Sequence, residues 1–229
     1  MSEIINIKTW PKNVYPNSSK LRKSVQTKQR IMDVALGFLW SHSFRDLTVA
    51  VLTKRAGVSR TCFYQYFSDL HNLMEGLLDD LEWEILTAAG PWFAAKEDLA
   101  LKLSKSLYGL VKVCYQRGPI LRAIFEAAPM DERLEKTWKD FITVFDDTVT
   151  ARIMQDQAAG LAPDFDPRSV AIALNRMDVG ILVHHFGRDP RSEIQPVYQT
   201  IARIWISTIY GEDSLVIINT PQQSCEVSK

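Results

Sequence analysis

The chain has 229 residues, 46% of them hydrophobic and 24% charged, which suffices for one large or two modest domains with a packed core and excludes a collagen, a disordered tail and a disulfide knot. Twenty-seven basic and twenty-seven acidic residues cancel overall, yet the stretch up to Leu70 holds eleven Lys and Arg against four Asp and Glu, and the remainder sixteen against twenty-three. A net charge of +7 on the N-terminal third and −7 on the rest points to an end that binds nucleic acid or another acidic surface, joined to a body with a different task.

Residues 1–24 carry Pro11, Pro16 and Asn17 and a cluster of Lys20, Arg22 and Lys23 without sustained periodicity, and are expected to form a flexible basic arm. Ile31, Val34, Ala35, Phe38 and Leu39 then recur at the spacing of one helical face. Thr48 is placed to cap a short second helix with Val49, Leu52 and Ala56 inward, and Gly57 stands where a left-handed terminator is wanted. Ser59 can cap a third helix from Arg60 to Phe67. Asp69 can cap a fourth, with Leu70, Leu73, Met74, Leu77, Leu78 and Leu81 inward.

Beyond Trp83 the pattern stays helical, with breaks expected at Gly90-Pro91, Gly118-Pro119, Pro129, 160–167 and 187–190. Apolar faces recur between those breaks, including Leu103, Leu107, Leu110, Val111 and Cys114, and then Leu134, Trp138, Phe141, Ile142, Phe145 and Val149. Asp166 before Pro167 is a good helix start. No segment alternates as a strand until Ser214 to Ile218, which is too short to build a sheet. The expected fold is all-α with about nine helices. Its domains are a short-helix domain at 25–69, a helical body at 70–212, and a flexible tail at 213–229.

Cys62, Cys114 and Cys225 are widely separated and lack CxxC spacing, which argues against a disulfide framework or a zinc site. The stretch from Met1 to Ser19 lacks the apolar core of a secretion signal, and no run approaches the roughly 20 apolar residues of a membrane span. A cytoplasmic protein in a reducing compartment, without membrane attachment, is expected. His184 and His185 are adjacent and point about 100° apart on a helix, so they form no two-histidine metal face. No nucleophile, carboxylate pair or phosphate loop suggests catalysis, and neither metal nor cofactor is expected.

The most informative stretch is Thr48 to Phe67, two short helices joined by Gly57-Val58-Ser59 as in a helix-turn-helix whose second helix reads the major groove. Val58, Phe63 and Phe67 can face inward, leaving Arg60 to take guanine or a phosphate, Thr61 a thymine methyl and Gln65 an adenine, with Tyr64 and Tyr66 against the backbone. Here the chain resembles the TetR family of transcriptional regulators. That family's helix-turn-helix ends in a pattern like G-[VI]-S-x-x-x-[FL]-Y-x-[YH]-F, which Gly57 to Phe67 fill completely. Arg30-Ile31 with Ala35, and Leu47-Thr48-Val49, also fall where the family places its first helix and the cap of its second. The family often has a phosphate-gripping lysine at the start of helix four. Leu70 stands there, so either His71 or the basic arm compensates or backbone binding is weaker. The candidate DNA-binding set is thus Thr48, Ser59, Arg60, Thr61, Tyr64, Gln65, Tyr66 and His71.

The C-terminal half resembles one branch of that family, the ethionamide-resistance regulator branch, through Leu174-Asn175-Arg176-Met177-Asp178 and Ile204 to Glu212. That resemblance implies a homodimer built from the last two long helices, about 167–186 and 194–210. On the second of these, Val197, Ile201, Ile204, Trp205 and Thr208 lie along one side. It also implies a long apolar channel for a small apolar or amphipathic effector. Its walls would be Leu107, Leu110, Cys114, Trp138, Phe141, Ile142, Phe145, Asn175 and Trp205, with Asp178 where the branch has a second amide. The aromatic residues equally fit plain core, and Asn175 equally fits a contact satisfied within the protein. The implied function is a dimeric repressor on a palindromic double-stranded DNA operator, released by its effector. The alternatives are a ligand-independent helical DNA-binding factor and a small-molecule carrier on a regulator-like fold.

Overall fold

A computed structural model describes residues 19–219, and among them every regular element is helical. Eight α-helices run in the order α1 (Ser19–Leu39), α2 (Val49–Ala56), α3 (Arg60–Tyr64), α4 (Leu70–Phe93), α5 (Leu99–Ala127), α6 (Glu132–Ala158), α7 (Pro167–Phe186) and α8 (Ile194–Tyr210). Three 3-10 segments, Phe44–Asp46, Ala128–Met130 and Glu212–Asn219, complete them. The last of these takes in the whole strand-like stretch from Ser214 to Ile218 and the start of the expected flexible tail. Helix α1 likewise begins at Ser19, inside the expected arm, while residues 1–18 and 220–229, with Cys225, lie outside the described residues.

The local starts and stops are the ones the side chains dictate. Thr48 accepts a hydrogen bond from the Val51 N–H, Ser59 from Cys62, Asp69 from Asn72 and Asp166 from Ser169, each at a helix N-terminus. Gly57 closes α2 at φ 63°, a left-handed conformation that a residue with a Cβ adopts only with strain.

Helices α1 to α3 and the start of α4 form a small head around Ile31, Phe38, Leu39, Leu52, Phe63 and Phe67. The body is arranged around α5, which packs against α4, α6, α7 and α8 and also touches α1. Two expected breaks are absent, because α4 continues through Pro91 and α5 through Gly118 and Pro119. Pro91 sits in the last turn of α4. Pro119 removes the N–H that would have bonded the Tyr115 carbonyl, and Arg191 Nη1 fills that vacancy at 2.8 Å while its guanidinium stacks on Tyr115 and on Trp40 of the head. Gly118 permits the crossing with α7, where a Cβ would overlap the backbone carbonyl of Phe186. Gly118→Ala should therefore force α5 and α7 apart and destabilise the fold by about 2–3 kcal/mol, read as a lower urea midpoint at unchanged slope.

The sequence pattern misassigned one face. Val197, Ile201 and Trp205 of α8 are buried in the chain's own core, Ile204 is half-buried and Thr208 exposed. The expected dimer stripe is therefore mostly the side of α8 that packs inward on α5.

At the end of the body away from the head, α4, α6 and α8 meet in a buried polar cluster. Arg152 pairs with Asp156 at 3.0 Å and donates to the carbonyls of Phe93 and Ala95, which end α4. The Trp92 indole N–H donates to the Tyr210 hydroxyl, which donates to Asp156, both at 2.7 Å. Every buried charge here has its partner.

Candidate nucleic-acid interface and buried cavity

In the head, Phe63 and Phe67 are buried and Val58 is half-buried, which turns Arg60, Thr61, Tyr64 and Gln65 outward together. Ser59 and Thr48 are exposed at their caps, and Tyr66 is half-buried. Helix α3 ends at Tyr64, three residues short of the expected Phe67. The chain tightens there, with the Tyr66 and Phe67 N–H groups both bonding the Phe63 carbonyl, so that Phe67 can drop into the core. Lys54, Arg55 and Arg45 are also exposed on this part of the molecule. Their neighbours in sequence carried no motif to single them out.

His71 is engaged away from this face. Its Nε2 lies 2.7 Å from Asp131, the cap of α6, and that hydrogen bond is the largest influence holding the Asp131 carboxyl below the usual carboxylate range. A carboxylate at this distance opposes a phosphate at the same ring. The same seam holds Arg133 of α6, paired with Asp69 at 2.8 Å and Glu75 at 2.9 Å.

The head is fastened to the body more deeply by Arg122 of α5, which is 2% exposed. Its guanidinium donates to the carbonyls of Leu39 and His42 at the end of α1, to that of Gly187 at the end of α7, and to the Glu126 carboxylate. A cation at two helix C-termini also meets the negative ends of their dipoles.

Inside the body is a cavity of about 80 Å³ between α4, α5, α6, α7 and α8. Leu107, Leu110, Cys114, Phe141, Ile142, Phe145, Asn175, Asp178 and Trp205 line it as the resemblance implies. Trp138 is absent from the lining. It is half-buried and packs between Phe125 and Phe141, with ring centroids 6.1 and 5.7 Å away. A contribution from α4 went unnoticed in the sequence: Ile85, Ala89, Trp92 and Phe93 also line the cavity. The signal was present, since 85, 89 and 92 continue the helical face of Leu78 and Leu81, but the expected break at Gly90-Pro91 concealed it. In this arrangement the space is a narrow apolar slot, where the resemblance implies a long apolar channel.

The polar groups on its wall have definite commitments. Asn175 donates its amide to Asp146 at 2.9 Å, and Arg176 grips the same carboxylate with two bonds at 3.1 and 2.8 Å. Asp178 accepts from the Trp205 indole at 3.0 Å. Burial pushes the Asp178 carboxyl up to about 8, only partly opposed by that hydrogen bond. Burial, with the neighbouring Asp178 second, likewise raises the Cys114 thiol and keeps it protonated. Both Cys62 and Cys114 are free thiols. Among the described residues no group of three His, Cys, Asp or Glu side chains is placed to hold a metal ion, and no helix is long and apolar enough to cross a membrane.

The family model of the C-terminal domain of the transcriptional regulator EthR matches residues 103–211, the span that builds most of this cavity. The HTH-type transcriptional regulator EthR of Mycobacterium tuberculosis H37Rv is 27% identical over 194 residues, covering 80% of this chain and 87% of that protein. Among solved structures, the SmeT–triclosan complex superposes with a TM-score of 0.69 at 12% identity, over 82% of this chain and 94% of that one. A regulator from Saccharomonospora viridis in complex with choline gives 0.59 at 14%, over 81% and 98%. The sequence is thus related to that of the helix-turn-helix transcriptional regulator EthR, and the fold is that of solved TetR-family regulators.

Proposed function

We propose that the chain is a homodimeric repressor that reads a palindromic double-stranded operator through α3 and leaves it when an amphipathic small molecule enters the body. The observation that carries this reading is that one helix serves both ends: α4 begins in the head and its last turns wall the cavity. The triclosan and choline complexes of structural neighbours support small-molecule control as a use of this fold. A reader with a few base contacts is weak alone, so two copies reading half-sites one turn apart, about 34–36 Å, are expected. The outward sides of α7 and α8, with Met177, Ile181 and Ile204 half-buried on them, are the surface we assign to the second copy. Release from DNA by about a hundredfold requires roughly 2.7 kcal/mol of difference in ligand affinity between the two conformers.

Selection of bound duplexes from a random pool tests the reading directly, and a palindromic consensus whose affinity falls steeply with salt is the expected result. No enriched sequence at any salt concentration would remove the operator. Against the selected duplex, Arg60→Ala and Tyr64→Ala should each weaken binding about tenfold or more, at 1–3 kcal/mol per good base or backbone contact, with an unchanged helical spectrum. Undiminished binding by both variants would displace α3 as the reader. The small cavity favours a second reading, a DNA-binding factor without effector. A melting temperature and tryptophan emission indifferent to every amphiphile tried would decide for it.

A further inference from the structure

We propose that Asp178 makes the effector a cationic amphiphile, a molecule whose basic nitrogen donates to Asp178 while its apolar body lies along Trp92, Phe141 and Phe145. The inference rests on the ligand-binding reading above and narrows it to one chemical class.

Asp178 is the one acid among the residues lining the cavity, which include no Lys, Arg or His, and it is 5% exposed. A buried carboxyl is normally matched by a cation or by several donors. Here the single hydrogen bond found is from Trp205 of α8 to one oxygen. The neighbouring charges are committed elsewhere. Arg176, on the same helix, is bound to Asp146 of α6, Arg152 of α6 to Asp156, and Arg117 of α5 to Glu84 of α4. From α5 the group facing Asp178 is the protonated thiol of Cys114. Asn175, one turn earlier, has turned its amide N–H to Asp146, so the slot keeps two acceptors, the neutral amide oxygen of Asn175 and the carboxyl of Asp178, and of these only Asp178 can carry the charge that matches a cation.

An asparagine would satisfy Trp205 equally well without the burden of a buried acid. A carboxyl in this position gains value when an ammonium or amine N–H arrives. An ammonium brings the positive charge, the Asp178 proton leaves to solvent, and a carboxylate–ammonium hydrogen bond forms in an apolar slot. A neutral amine takes the proton from Asp178 and ends in the same pair. The elevated value of about 8 for Asp178 means that the empty site is mostly protonated at neutral pH, so binding of an ammonium releases up to one proton.

The test uses octylamine, octanol and octanoate, three chains of one length and different heads, with the full-length protein and Asp178→Asn. Affinities are read from tryptophan emission, since Trp92 and Trp205 line the cavity, and from calorimetry in two buffers of different ionisation enthalpy at pH 7. The wild type should bind octylamine about 10–100-fold more tightly than octanol, the range of a charge-assisted hydrogen bond, octanoate least, and with proton release. Asp178→Asn should keep octanol affinity within about threefold while losing both the amine preference and the proton release. Octanol binding without amine preference in the wild type, or a preference that survives in Asp178→Asn, overturns the assignment of Asp178 and leaves the ligand site standing. Binding of none of the three overturns both.

Discussion

Arg122→Met should lower the stability of the protein by about 3–5 kcal/mol, the range found when one partner of a buried charged network is removed. Methionine fills much of the arginine volume, so the loss is one of hydrogen bonds and not of packing. Three backbone carbonyls, those of Leu39, His42 and Gly187, lose their donor from Arg122. Those of Leu39 and Gly187 are orphan carbonyls at helix ends that no further turn of helix can satisfy, and that of His42 lies in the turn beyond α1. Burial pulls the Arg122 guanidinium below its ordinary value, with the Glu126 carboxylate opposing that shift. Arg188→Ala is the matched control. That arginine meets Glu126 at 3.1 Å on the surface, and its loss should stay within about 0.5 kcal/mol. Urea unfolding of the two variants decides the matter. A loss below about 1 kcal/mol for Arg122→Met would mean that the carbonyls find water or each other.

Asp178→Asn should stabilise the protein, and by more as pH rises. In the folded chain the Asp178 carboxyl titrates near 8, against 3.8 for a free aspartate. Between those values the native state holds a proton that the unfolded chain has released, so native stability falls as pH increases from about 4 to about 8. Each pH unit in that window is worth about 1.4 kcal/mol. From pH 5 to pH 8 the wild type should therefore lose on the order of 3 kcal/mol relative to Asp178→Asn, which has nothing to ionise there. Thermal midpoints of the two proteins at several pH values in one buffer series give the answer. Parallel curves would mean that Asp178 ionises freely in the folded state.

Local signals were legible, and those that depend on distant partners were not. Thr48, Gly57, Ser59 and Asp69 act on backbone groups within four residues, so the sequence alone places the head's turns. Pro119 reads as a breaker in any local window, and the carbonyl it frees is satisfied by Arg191, 76 residues from Tyr115. The buried roles of Arg122 and Arg152 depend on carbonyls 57 to 83 residues away, with no pattern at helical spacing to announce them. Trp138 and α8 show a related limit. Periodicity finds an apolar stripe but cannot say whether it faces a cavity, the core or a second chain, and Trp138 turns to Phe125 while Val197 and Ile201 turn inward. For α3, the core's demand for Phe67 outweighs the continuing helical pattern and ends the helix early.

Helix α4 has 24 residues, which at 1.5 Å per residue makes a rod of about 36 Å. It is pinned at its far end by Arg152 through the carbonyls of Phe93 and Ala95, and that anchorage gives it mechanical advantage. A tilt of about 5° about the pinned end carries the head end sideways by about 3 Å, close to the 3.4 Å separating neighbouring base pairs. Side chains in the slot need to part by only a fraction of an ångström near the fulcrum for the head to miss its register on DNA by a whole step.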